Sequence, residues 1–500
     1  MSKEEIKDYL ELENITKQIF QINNAINILS WDKDSNTPKN STESRKNEIT
    51  NLSSIAHSML KSSKVAELIK NAYESSSKLG IWQLANLREI ERRYIHAECI
   101  DDDLQKRYVN SASQCQLVWQ EAKKDDDYTI LKPSLQEVLN SVKEIASAKS
   151  EKLKITKYDA LLDKFDPDVE SKNIKDAYTV LKKEIPILMQ EIIEKQKSEV
   201  VLPFPAKVSL AQQRIIGKRI MEVIGFDFTR GRIDESAHPF CGGTPHDVRL
   251  TTRYDDNFIN NMMNIIHETG HGLYEQSLPV VYRDQPVGKA KGMAIHESQA
   301  LFMEMQVGRS REFIEFFSKL LKDEFSFSGS EYSAENIYKS VTRVKPGFIR
   351  IDADEVTYVM HVILRFEIEE ALINDELNLD DLPNYWNNKM QEYLGITPES
   401  NKTGCMQDIH WPKGYYGYFP VYTSGAIIAS MLMKKIKFLN PNISQELSNG
   451  QFSQVNNYLN QNIRIFGSIK SAEELISNST DEDKISPLIF LSYLRQKYIN

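Results

Sequence analysis

Two histidines four residues apart, His267 and His271, lie in the stretch NIIHETGHGLY, with Glu268 directly after the first. On a helix, positions i and i+4 share a face, so both imidazoles can meet one metal ion. Glu268 sits about 100° further round the helix. It can reach a water on that ion without itself binding the metal, as a metal-activated water with a general base beside it requires. Gly270 costs roughly 1 kcal/mol against alanine in a helix interior. A glycine there suggests a close neighbour, either another chain segment or a substrate. Phe258, Met262, Ile265 and Ile266 are spaced for burial along the same helix, expected over about 255–277.

A catalytic zinc usually has three protein ligands. Tyr274 and Ser277 exclude the spacing that would put the third on the same helix. The stretch KAKGMAIHESQALFMEM, residues 289–305, reads as a second helix, and the connection before it holds Pro279 and Pro286. In an antiparallel helix pair, residues equidistant from the midpoint face each other. Glu297 then stands opposite His271 and is a candidate third ligand. His296 fits nearly as well, and helical phase does not decide between them. A surface ion pair is the competing reading of Glu297.

Peptide hydrolysis needs hydrogen-bond donors for the oxyanion. A free C-terminal carboxylate needs a cation, and a free amine needs carboxylates. His410, in GCMQDIHW, and the tyrosines that follow it, up to Tyr418 and Tyr422, can supply the donors. Tyrosines packed this densely can equally be aromatic core. Arg350, in GFIRIDADE, and Arg249, in DVRLTTR, are of the type that binds carboxylates bidentately. Each can equally be half of a structural ion pair, Arg350 with Asp352 or Asp354. His57, His96 and His361 stand singly on helical stretches and read as ordinary surface or core residues.

The elements that must position these groups are mainly helices. Residues 1–200 read as helix after helix. Ser134 and Glu137 make a capping-box pattern in Leu131–Leu153, and Pro186 is placed to kink or split the helix over 176–199. Gly242, Gly243 and Pro245 mark a turn, and DVRLTTR alternates as a short strand. The expected fold is a mainly α single body over 1–500, with a small β element lining a deep cleft. Its parts are a helical 1–200, a catalytic core at 201–425 and a helical 426–500.

The bulk numbers narrow the partners. A net charge of −9 gives no general attraction to nucleic acid or anionic lipid. No apolar run reaches the length of a membrane span, and PLIFLSYL at 487–494 is better read as a core helix. The N-terminus is charged and lacks the apolar core of a secretory signal. Four cysteines in 500 residues make no disulfide scaffold, and reduced thiols point to the cytoplasm.

In order along the chain stand HPF (His238 to Phe240), DVRLT, HETGH, HESQ, IRIDAD and GCMQDIHW. This series resembles that of the Taq-type thermostable metallocarboxypeptidases over nearly the whole chain. LSWDKDSNTP, residues 29–38, resembles a further family segment, with Thr37 where methionine is usual. The resemblance implies a helical fold like that of neurolysin and angiotensin-converting enzyme. It implies a broad-specificity carboxypeptidase with metal on His267, His271 and Glu297, and Glu268 as general base. Zinc is the expected ion, with cobalt or manganese as alternatives, and a homodimer the expected assembly. Arg350, Arg249 and His238 are implied on the substrate side, and His410 with Tyr422 (Tyr418 in reserve) at the scissile carbonyl.

Two other readings compete. An endo-oligopeptidase of the same fold would share the metal site and accept a blocked C-terminus. A non-catalytic scaffold with structural zinc would need a closed four-ligand Cys/His set, and the sequence offers none.

Overall fold

The computed structural model describes residues 3–204, 208–236 and 239–500. Helices dominate from end to end. Among the described residues none is long and apolar enough to cross a membrane. Five helices bear on the site: α1 (Lys7–Ser35), α2 (Phe258–Ser277), α3 (Gly292–Leu301), α4 (Glu355–Ile373) and α5 (Pro420–Leu439).

One large apolar core joins the helices from Cys115 to Tyr498. A smaller one, built on Tyr9, Leu12, Val65, Leu68, Leu87 and Ile90, unites the first helices of the chain. Leu131–Leu153 lies within a helix that starts earlier, at Tyr128. Its cap is Asp127, whose Oδ1 accepts from the Thr129 N–H at 2.8 Å. Ser134 is inside the helix and donates its hydroxyl to the Leu131 carbonyl, so Ser134 and Glu137 form no cap. A single helix, Ser171–Gln196, runs through Pro186 without being split.

The sheet has three strands: β1 (Gly231–Glu235), β2 (Phe240–Thr244) and β3 (Asp247–Thr252). Their order is β1-β3-β2, with β1 parallel and β2 antiparallel to β3. Gly242 and Gly243, expected in a turn, lie in β2. Gly243 has φ +83, and a Cβ there would stand 2.1 Å from the Asp247 carbonyl oxygen, so no other residue fits this tight return. Asn27 of α1 donates to the Gly243 carbonyl at 3.3 Å, tying the first helix to the sheet. Trp31, from the same helix, stacks under Arg249 and Arg232. Thr37 donates to Asp32 at 2.8 Å, and Asp32 also pairs with Arg45 at 2.7 Å.

Candidate active site

Helix α2 begins at Asn257, whose side chain caps it, and presents His267, Glu268 and His271. Phe258, Met262, Ile265 and Ile266 are all buried beneath it. Gly270 faces α3 at backbone distance: a Cβ there would lie 2.6 Å from the Ala300 Cα and 2.5 Å from the Gln299 carbonyl oxygen. The close neighbour is thus another chain segment. This approach brings Glu297 of α3 level with the two histidines. One ligand atom each from His267, His271 and Glu297 falls within 4.8 Å of the others. His267 Nε2 is 3.8 Å from Glu297 Oε1, and His271 Nε2 is 3.5 Å from Glu297 Oε2. Helix α5 crosses close by, and Gly425 leaves room for Glu297, whose Cγ would be 2.9 Å from a Cβ.

His296 is turned away from this cluster and stands behind His271. The two Nδ1 atoms are 2.7 Å apart, and His296 Nε2 is 3.0 Å from Glu275 Oε1. One proton arrangement satisfies both contacts. Glu275 accepts from His296 Nε2–H, and His296 Nδ1 accepts from His271 Nδ1–H. His271 Nε2 then keeps its lone pair for a metal. His267 is held in the same way, its Nδ1 2.9 Å from Glu304 Oε2. Metal-binding histidines commonly donate their other ring N–H to such a partner. Glu304 lies on a π-helical turn, Phe302–Gly308, that continues α3, and also accepts from Arg309 at 2.8 Å. Burial alone would raise its pKa, but Arg309 and His267 bring it down to about 2. Glu275, Glu304 and Arg309 were not anticipated. Glu275 lies four residues after His271, a spacing that could have flagged it.

Glu268 is buried, and its Oε2 has no hydrogen-bond partner. Burial drives the carboxyl up to about 7, against the pull of His267 and with the push of Glu297. The donor set suits a divalent ion, with two imidazoles and a carboxylate converging, and Glu268 supplies an unengaged oxygen beside it.

The second wall comes from the loop before α5. His410 Nε2 is 3.5 Å from the Tyr422 hydroxyl, and the His410 ring packs against Tyr418, Phe419 and Tyr422. Burial, then the charge of Arg350, push the His410 pKa down to about 3, so it is neutral near pH 7 and can donate one N–H. Arg350 pairs with neither Asp352 nor Asp354. Its Nε and Nη2 donate to Asp408 Oδ1 at 3.1 and 2.9 Å, and its Nη1 donates to the Tyr358 hydroxyl at 3.0 Å. Three of its five N–H donors are thereby engaged. Arg365 grips the other oxygen of Asp408 at 2.6 Å. Asp354 instead heads α4, accepting from Val356 and Thr357 N–H.

Gln407 and Trp411 of GCMQDIHW fasten the loop, through the Arg350 N–H onto Gln407 Oε1 and the Trp411 indole N–H onto Glu369. Arg249 pairs with its strand neighbour Asp247 at 2.6 Å and faces Trp31. His238 lies outside the described residues.

The fold and this centre define a helical HExxH metallopeptidase. The model of the carboxypeptidase Taq (M32) metallopeptidase family matches residues 11–498. The chain is 32% identical to carboxypeptidase 1 of Bacillus subtilis over 496 residues, 98% of each chain. It is 31% identical to thermostable carboxypeptidase 1 of Pyrococcus furiosus over 487 residues, 97% of each. The solved structure of Trypanosoma cruzi metallocarboxypeptidase 1 superposes with a TM-score of 0.97 at 32% identity, over 99% of this chain and all of that one. The chain belongs to the carboxypeptidase Taq (M32) family and is a metallocarboxypeptidase.

Proposed function

We propose that the protein releases single amino acids from the free C-terminus of peptides with broad specificity, with zinc held by His267, His271 and Glu297 and with Glu268 as general base. The observation that carries this reading is the convergence of those three ligands beside an unengaged, buried Glu268 oxygen. When bound, the ion supplies Lewis-acid polarisation of the scissile carbonyl and a more acidic water. Glu268 takes the proton of the attacking water and passes it to the leaving amine. His410, as the neutral imidazole, and Tyr422 donate to the developing oxyanion, and Tyr418 supports Tyr422 through ring contact at 5.5 Å. Arg350, its fork fixed by Asp408, turns its two remaining N–H donors to the substrate carboxylate. Arg249 flanks the substrate, and the family resemblance assigns His238 a substrate-binding role.

Glu268→Gln tests the base. The variant should bind metal as the wild type does and lose turnover by about 10²–10⁴-fold. A variant that stays active would sink the assignment. Cobalt or manganese can replace zinc in the same donor set. The unpaired cysteines Cys99, Cys115, Cys241 and Cys405 accord with a cytoplasmic location. The homodimer rests on the family resemblance, and sedimentation equilibrium tests it.

A further inference from the structure

A cavity of about 420 Å³ lies at the seam between the two apolar cores. Its walls are α1, the helices Thr42–Leu60, Ile81–Glu98 and Tyr128–Leu153, and the loop around Gly414. It shares no lining residue with the metal cluster; it borders the loop before α5 through Gly414 and Tyr416, and Phe165, also in its lining, meets the Tyr418 ring at 5.0 Å.

The charge inside it is one-sided. Lys149 is only 4% exposed, yet its Nζ has no hydrogen bond or ion pair. Arg93 has its Nε buried with no acceptor, and its guanidinium rests on the Phe20 ring at 5.2 Å without a carboxylate. His57 Nε2 and His96 Nδ1 are buried and unpartnered as well. Lys164 stands at the mouth, over the rings of Phe165 and Tyr415. Among the described residues no carboxylate lines the cavity. Two carboxylates behind the lining are already engaged: Asp163 by His96 at 2.6 Å and Arg92 at 3.7 Å, and Glu89 by Lys291 at 3.1 Å and Arg92 at 3.4 Å. Burial, then Lys164, lower the Lys149 pKa to about 8. Cations withdrawn from water without counter-charges are unfavourable, and an anion that enters relieves them.

We propose that this cavity binds a small organic polyanion, one carrying two or more carboxylate or phosphate groups, with Lys149 and Arg93 as its main contacts. A cavity of roughly 150 Å³ accepts benzene, so this one holds a short carbon frame with its charged groups. Such a ligand braces the N-terminal helices against the body of the protein.

The test is calorimetry and thermal unfolding of the full-length, metal-loaded enzyme at matched ionic strength. Propane-1,2,3-tricarboxylate and inorganic phosphate are titrated separately, with acetate as the monovalent control. At least one multivalent probe should bind saturably and raise Tm by about 2 °C or more. The responding arm tells carboxylate from phosphate. Lys149→Met should raise Tm without any anion and weaken binding tenfold or more. Arg93→Gln, from a different helix, gives the same reading if Lys149→Met fails to fold. Absence of saturable binding to both probes overturns the proposal. So does binding that persists unchanged in the variants, which would place it elsewhere, at the metal for example.

Discussion

Gly270 meets Ala300 backbone to backbone, and the missing Cβ leaves the space that lets α3 come this near α2. That contact sets the distance at which Glu297 reaches the two histidines. Gly270→Ala would push a methyl group into the Ala300 Cα and the Gln299 carbonyl. Overpacking of this kind costs about 1–3 kcal/mol. The variant should lose metal affinity by more than its loss of stability alone would cause, because α3 carries Glu297. Metal-buffer titration alongside urea unfolding checks this, and unchanged metal affinity would detach the contact from the site.

In the proposed site, His296 would act on a metal through its 2.7 Å contact with His271. His296→Phe keeps a ring packed against His271 and Tyr274 and removes the nitrogens. Metal affinity should fall about 10–100-fold, as when such supporting partners are lost elsewhere. Glu304→Gln keeps an acceptor for His267 and should cost less. A ligand role for His296 would predict near-complete loss of metal instead.

Asp408 pairs with Arg350 and Arg365 at once, one oxygen to each. Burial alone would raise its pKa, but the two arginines hold it well below the usual carboxylate range. A depressed folded pKa adds stability above the unfolded value, near 4, and that stability is lost as the pH falls through the folded value. Asp408→Asn should therefore lower stability at pH 7 by about 3–5 kcal/mol, the cost of stranding buried charge. The difference from the wild type should shrink below about pH 4. Urea midpoints across the pH range test it. A gap that did not vary with pH would mean that the carboxylate charge contributes nothing.

Arg350→Lys keeps the charge and loses the planar fork. If its two remaining donors hold the substrate carboxylate, kcat/KM for free-acid peptides falls while metal content stays the same. Equal loss on peptides with and without a C-terminal carboxylate would reduce Arg350 to a support for Asp408 and His410.

Much of the site was legible because helical spacing is regular. His267 and His271 declare one face, Glu268 sits about 100° round from it, and Gly270 declares a close neighbour. The choice between Glu297 and His296 was not legible. An antiparallel pairing sets the axial level of a residue, whereas these two point about 100° apart. Local sequence offers Asp352 and Asp354 as partners of Arg350, whereas the partner lies 58 residues on at Asp408, across a tertiary contact. Strands β1 and β2 escaped notice because GRIDE and FCGGT are short and carry charge or glycine instead of alternating apolar residues. Ser134 was misread because its pattern matches a cap although Asp127 already starts the helix.

The most direct measurement is a mass-spectrometric time course on one N-acetylated peptide, in free-acid and C-amidated forms, with zinc or cobalt present and a chelator control. The account predicts a C-terminal ladder from the free acid alone, abolished by the chelator. Internal cleavage of both forms would contradict it and make the enzyme an endo-oligopeptidase on the same fold.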